Sequence, residues 1–137
     1  MSMSTRHPRV LLFLLLIAAA CAAQNRMGDV RYWSGPPPVH LRPLYDTLDY
    51  LVREQISFYQ ANGFFHESVA ELDITTPEGT TVGVEANDDG WSAVARSPEG
   101  AECAVFLGRP RNIPSALGVP VAREQRIVCA ERAPVTP

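Results

Sequence analysis

His66-Glu67-Ser68 places an imidazole, a carboxylate and a hydroxyl in a row, the groups a base-activated nucleophile needs. Adjacent residues do not converge on one point, however, and a triad is defined by geometry rather than by neighbourhood. The segment is therefore expected to be an exposed turn after a helix. Glu85, Asn87, Asp88 and Asp89 gather oxygen atoms at a hairpin tip, the donor type that calcium takes. Their spacing is not that of an EF-hand loop, and Asn, Asp and Gly are also what a tight turn requires. Cys103 and Cys129 lack the Cys-x-x-Cys arrangement that tunes redox thiols, which leaves a structural disulfide. Three cysteines and three histidines are too few and too scattered for a metal cage, and no phosphate-cradling glycine loop occurs. The expectation is a non-enzymatic chain with no catalytic residue, no metal and no cofactor.

The elements that must position these residues begin with a leader. Arg6 and Arg9 precede the apolar run Val10 to Ala20, which has the layout of a secretory signal at residues 1–20. A helix of that length rises only about 20 Å, short of the ~30 Å hydrocarbon core, so a permanent span is the weaker alternative. Ala18-Ala19-Ala20-Cys21 resembles a bacterial lipoprotein box, with Ala18 where leucine is usual, which implies lipidation of Cys21. The alternative is ordinary cleavage after Ala23. Either way the chain is expected to be exported to the periplasm or cell surface, with acyl chains on Cys21 as its membrane anchor. Cys103 and Cys129 then remain as an even pair in a compartment that permits disulfides.

The 137 residues are 46% apolar and 20% charged, room for one small domain. Net charge is −3, all twelve basic residues are arginine, and Arg6 and Arg9 leave with the leader. That balance does not suit nucleic acid, which is not an expected partner. Residues 21–42 carry Pro36-Pro37-Pro38 after Tyr32-Trp33 and are expected to form an extended tether. The aromatic pair is expected to pack on its own domain or lie at a membrane surface.

Residues 43–131 form the expected folded head, with 132–137 as a disordered tail. Pro43 suits a first helical turn, and Leu44, Leu48, Leu51, Val52, Gln55, Ile56 and Tyr59 recur at three- and four-residue steps. Asp46 and Asp49 fall early in this helix, favourable to its dipole. Asn62-Gly63 ends it, and Phe64 and Phe65 are expected to fold back onto its apolar stripe. Short strands follow at 71–74, 81–86, 91–96 and 102–107, with Asn87-Asp88-Asp89-Gly90 and Ser97-Pro98-Glu99-Gly100 as turns. Gly83 inside a strand marks a bulge or a close backbone approach. Residues 108–127 read as loop, with a closing strand at 126–129. Three antiparallel strands cannot bury a face alone, so the helix must lie across them. The fold class is α+β: one long helix on a three- to four-stranded antiparallel meander with a disulfide-closed loop.

Several pieces in order carry a family resemblance. The helix ends Phe58-Tyr59-Gln60-Ala61-Asn62-Gly63, and Ser68-Val69-Ala70-Glu71-Leu72 follows it. Then come Thr76-Pro77-Glu78-Gly79-Thr80-Thr81-Val82, Asp89-Gly90-Trp91-Ser92-Ala93-Val94-Ala95, and Cys103-Ala104-Val105-Phe106-Leu107-Gly108, with Cys129 closing the loop. From about Leu44 to Cys129 the chain resembles the globular head of type IV pilins and type II secretion pseudopilins. The apolar run here lies before Cys21, has no acidic residue and leads into a proline-rich stretch, so the similarity is to the head and not to the polymerising helix. The resemblance implies an extracytoplasmic structural or adhesive module, with protein partners in the cell envelope such as pilus or secretion components. A periplasmic small-ligand-binding lipoprotein is the alternative, and there Trp91, Phe64 and Phe65 would point outward. A small hydrolase using His66 is a third.

Overall fold

The computed structural model describes residues 29–72 and 74–134. The leader, Cys21, Asp73 and residues 135–137 of the expected tail lie outside the described residues. Strand β1 (Val30–Ser34) comes first, then a 3-10 turn (Val39–Leu41) that runs directly into helix α1 (Arg42–Asn62). Strands β2 (Thr81–Ala86), β3 (Gly90–Arg96) and β4 (Glu102–Gly108) follow. A two-residue-strand hairpin, β5 (Ser115–Ala116) and β6 (Val119–Pro120), precedes β7 (Val128–Arg132). The main sheet has five antiparallel strands in the order β1-β7-β4-β3-β2.

The helix has the expected physical causes. Pro43 sits in its first turn, where a missing N–H breaks no ladder bond. Gly63 takes φ 78°, and its N–H donates to the Tyr59 carbonyl at 2.7 Å, ending the helix in the left-handed cap that glycine adopts without a Cβ clash. No acidic residue falls in the first turn. Asp49 instead pairs with Arg53 one turn on. The stripe Leu44, Leu48, Leu51, Val52 and Gln55 is buried against Ala93 and Ala95 of β3 and Cys103, Val105 and Leu107 of β4. Small alanines on β3 let the helix sit close to the sheet, and Trp91 fills the space at the end of that row.

Four expectations are corrected. The stretch 21–42 is not simply a tether: Val30–Ser34 pairs with β7, Gly35 N–H donates to the Ile127 carbonyl at 2.9 Å, and Pro37 is buried. The domain therefore begins before the helix, the sheet has five strands, and half-buried Trp33 packs on the helix-side core. Of the strand expected at 71–74, the described residues Glu71, Leu72 and Ile74 lie in none. Leu72 N–H donates to Val69 O and Ile74 N–H to Leu72 O, so local bonds replace a ladder and Leu72 turns into the core. The closing strand lies two residues later than expected and inside the sheet, between β1 and β4, with Arg132 belonging to it rather than to a tail. Residues 109–126 are not a bare loop. Ala116, Val121, Leu117 and Val119 cover Ala104, Phe106, Val128 and Ala130, giving the sheet a second buried face.

Ladder parity is the same across the whole sheet. The bonds Asn87 N–H to Gly90 O, Ser97 N–H to Ala101 O, Gly35 N–H to Ile127 O and Ala133 N–H to Asp29 O fix which residues face which neighbour. In an antiparallel pair the hydrogen-bonded and non-bonded positions alternate. Odd residues of β2 and β1 therefore face inward to β3 and β7. The backbone groups of Val82, Val84 and Ala86, and of Val30, Tyr32 and Ser34, face the two open edges. By the same count Cys103 and Cys129 form a non-bonded pair between β4 and β7.

Candidate functional site

The loop that leaves the helix is organised by one buried amide. Gln55 Nε2 donates to the His66 carbonyl at 2.7 Å, and His66 N–H donates to Gln55 Oε1 at 2.9 Å. An apolar stripe thus carries one polar residue whose donor and acceptor are both used. His66 Nδ1 accepts from Ser68 N–H at 3.4 Å, and Nε2 lies 2.8 Å from Glu71 Oε2. The neutral ring then carries its proton on Nε2, donating to Glu71. The three residues His66, Glu67 and Ser68 are not brought together as a triad. The carboxylate at the imidazole is Glu71, Ser68 offers its backbone rather than its hydroxyl, and Glu67 is exposed. His40, on the 3-10 turn, donates through Nε2 to Glu131 Oε2 at 2.7 Å and joins the start of the helix to β7.

The acidic hairpin tip is explained by turn chemistry. Asn87 Oδ1 accepts from Asp89 N–H at 2.8 Å and from Gly90 N–H at 2.7 Å. Among the described residues no group of three His, Cys, Asp or Glu side chains is placed to hold a metal ion.

Cys103 and Cys129 are bonded, fully buried and directly opposite each other, with Cα atoms 4.0 Å apart. Non-bonded antiparallel positions are the ones that bring Cα atoms closest, so the strand register itself seats this bridge. It closes the segment that covers the outer face of the sheet.

Four aromatic rings gather at the carboxyl end of the helix. Phe58 and Phe64 meet edge to face at 5.2 Å, and Tyr59 stacks on Phe65 at 4.6 Å. Phe65 folds back onto the core as expected, whereas Phe64 is 54% exposed. Tyr59 and Phe65, with Ile56 and Leu107, line an open groove of about 440 Å³ whose rim carries Asp89 and Glu124. The opposite wall is held by Gln125, whose backbone takes φ 63° and whose N–H donates to the Phe106 carbonyl at 2.9 Å. A non-glycine residue in that region costs free energy that neighbouring contacts must offset. Trp91, by contrast, is wholly buried and lines no surface.

Sequence reasoning missed the pairing of Gln55 with His66, the outer-face cover and the groove. A polar residue on a helical stripe was the available signal for the first; the other two depend on contacts remote in sequence. Comparison with protein-family models, with curated proteins and with solved structures yields no match for this chain.

Proposed function

We propose that this chain is an exported, non-enzymatic protein-interaction module, tethered to a membrane through Cys21 and built like a pilin or pseudopilin head. The observation that carries the proposal is the buried Cys103–Cys129 bridge, which encloses the segment covering the outer face of the sheet. A bridge of this kind persists in oxidising compartments outside the cytoplasm. The order of helix, then antiparallel hairpins, then bridged segment supports the likeness to a pilin head. The exposed aromatic patch at Phe64 and Tyr59 supports docking by protein contact, since clustered exposed rings mark interaction surfaces. Its partners are components of the cell envelope such as a pilus or a type II secretion apparatus.

Fractionation with intact-mass analysis tests this. The expected result is recovery from the envelope with an acylated Cys21 and no free thiol. Recovery wholly from the cytosol with reduced cysteines overturns it. The groove between Tyr59 and Gln125 favours a second reading, a periplasmic module that binds a small apolar ligand. A Phe65→Ala variant that loses binding of an apolar fluorescent probe, with the fold intact, would favour that reading.

A further inference from the structure

Gly83 has no intramolecular reason to be glycine. Its φ is not in the left-handed region, and a Cβ built on it would meet nothing within 4 Å. Glycine inside a strand costs backbone entropy and packs no side chain, and it often marks the approach of another backbone. No part of this chain makes that approach among the described residues.

Gly83 lies at the centre of an open edge. The outward N–H and C=O groups of Val82, Val84 and Ala86 have no partner among the described residues. The opposite edge is treated differently. Arg126 Nη2 donates to the Ser34 carbonyl at 2.8 Å and its Nε to the Ser34 hydroxyl at 3.2 Å, so a guanidinium blocks one end of β1. Guarded and unguarded edges differ in what can add to them. A groove of about 360 Å³ runs beside β2 on the outer face, floored by Gly83 and Val94 and walled by Asn112 and Pro114. A second groove of about 430 Å³, lined by Val69, Leu72, Ile74 and Val82, lies on the helix face.

We infer that the edge of β2 pairs with the same edge of a second copy of this chain, antiparallel about a two-fold axis at Val84. Only registers that oppose outward-facing residues are allowed. Centring on Val84 sets Val82 against Ala86 of the second copy and Gly83 against its Glu85, using all three outward-facing residues of the strand. A shift to one side sets Glu85 against Glu85, like charges directly opposed. A shift to the other side sets Gly83 against Gly83 and shortens the ladder. The chosen register gives each Glu85 the open floor at Gly83, which accounts for the glycine. An isologous contact of this kind closes at two copies.

Sedimentation of the purified chain up to about 1 mM tests the inference, with substitutions of opposite sign. Gly83→Glu faces Glu85 of the second copy and is expected to weaken dimerisation about 3- to 30-fold through its two symmetric pairs. Gly83→Lys is expected to strengthen it by a similar factor. Neither meets an obstacle at its Cβ within the monomer. Val84→Pro removes the outward N–H together with part of the packing of Val84 on the helix-side core, and is expected to yield folded monomer. The Gly83→Cys/Glu85→Cys variant, whose two positions oppose each other across the two-fold axis at a non-bonded pair, is expected to form a disulfide-linked dimer on mild oxidation. A monomer at every concentration overturns the inference. So does a dimer that Gly83→Lys weakens, or an open edge occupied instead by an extended segment of a different protein.

Discussion

The side-chain amide of Gln55 and the backbone of His66 exchange two hydrogen bonds across the end of the helix, at 2.7 and 2.9 Å. Gln55 thereby acts as a short strand partner for the loop. It converts the exit from the helix into a fixed position for His66, Ser68 and Glu71. Removing the amide leaves the His66 N–H and carbonyl without their partner in a part-buried site.

Gln55→Ala is therefore expected to cost about 2–6 kcal/mol, since each of the two unsatisfied groups costs about 1–3 kcal/mol. Gln55→Glu keeps the shape but sets a carboxylate oxygen against the His66 carbonyl, and is expected to be no better. Urea denaturation measures the loss. Amide exchange should rise at residues 64–72 while the first turns of the helix stay protected. Uniform exchange along the helix would show that the amide does not act locally.

Ala93 and Ala95 set how closely the helix approaches β3. Ala93→Leu or Ala95→Leu is expected to destabilise by about 1–3 kcal/mol or more through overpacking. Val94→Leu, between them but on the half-buried outer face, is expected to change stability by less than about 0.5 kcal/mol. Equal costs at the three positions would mean that helix distance is not set by these alanines.

What local chemistry determines was readable in the chain, and what distant pairing determines was not. The helix was legible because Leu44, Leu48, Leu51 and Val52 repeat at helical steps between Pro43 and Gly63. The strands β2 to β4 were legible because Val82, Val84 and Ala86 alternate and Asn87 to Gly90 supply a turn. Strand β1 was obscured by Pro36 to Pro38 and by a partner at the far end of the chain, Val30 standing opposite Arg132. Strands β5 and β6, of two residues each, are too short for any period. The cysteine pair followed from arithmetic, but its seat in the ladder needed β7 to lie between β1 and β4. Of the site, Phe65 was placed correctly, whereas the groove wall at Glu124 and Gln125 depends on a long-range bond to Phe106.

Trp91 is the largest fully buried side chain, and its Nε1 has no acceptor among the described residues. Trp91→Phe is expected to cost only about 1–2 kcal/mol, because lost packing is partly offset by loss of an unpaired donor. Trp91→Ala is expected to cost about 3–5 kcal/mol through the cavity it leaves. Thermal or urea melts of the two variants check the gap. If phenylalanine proves as costly as alanine, the indole N–H contributes more than its position suggests.

Cys103 and Cys129 close a separation of 26 residues, which the chain-entropy model converts to about 3.5 kcal/mol. That is a large share of the stability of so small a domain. The enclosed segment is held to the outer face by a small core of alanines and valines with Phe106, so it should loosen first when the bridge opens. Trypsin reports this directly. Arg111 and Arg123 lie exposed in the segment, and Arg53 lies exposed on the helix. In reductant, cleavage at the first two is expected to precede cleavage at Arg53, and the Cys103→Ala/Cys129→Ala variant should show the same order without reductant. In the oxidised protein the segment should resist. Equal resistance with and without reductant would show that β4 and β7 hold the segment through hydrogen bonds and packing, with the bridge adding nothing.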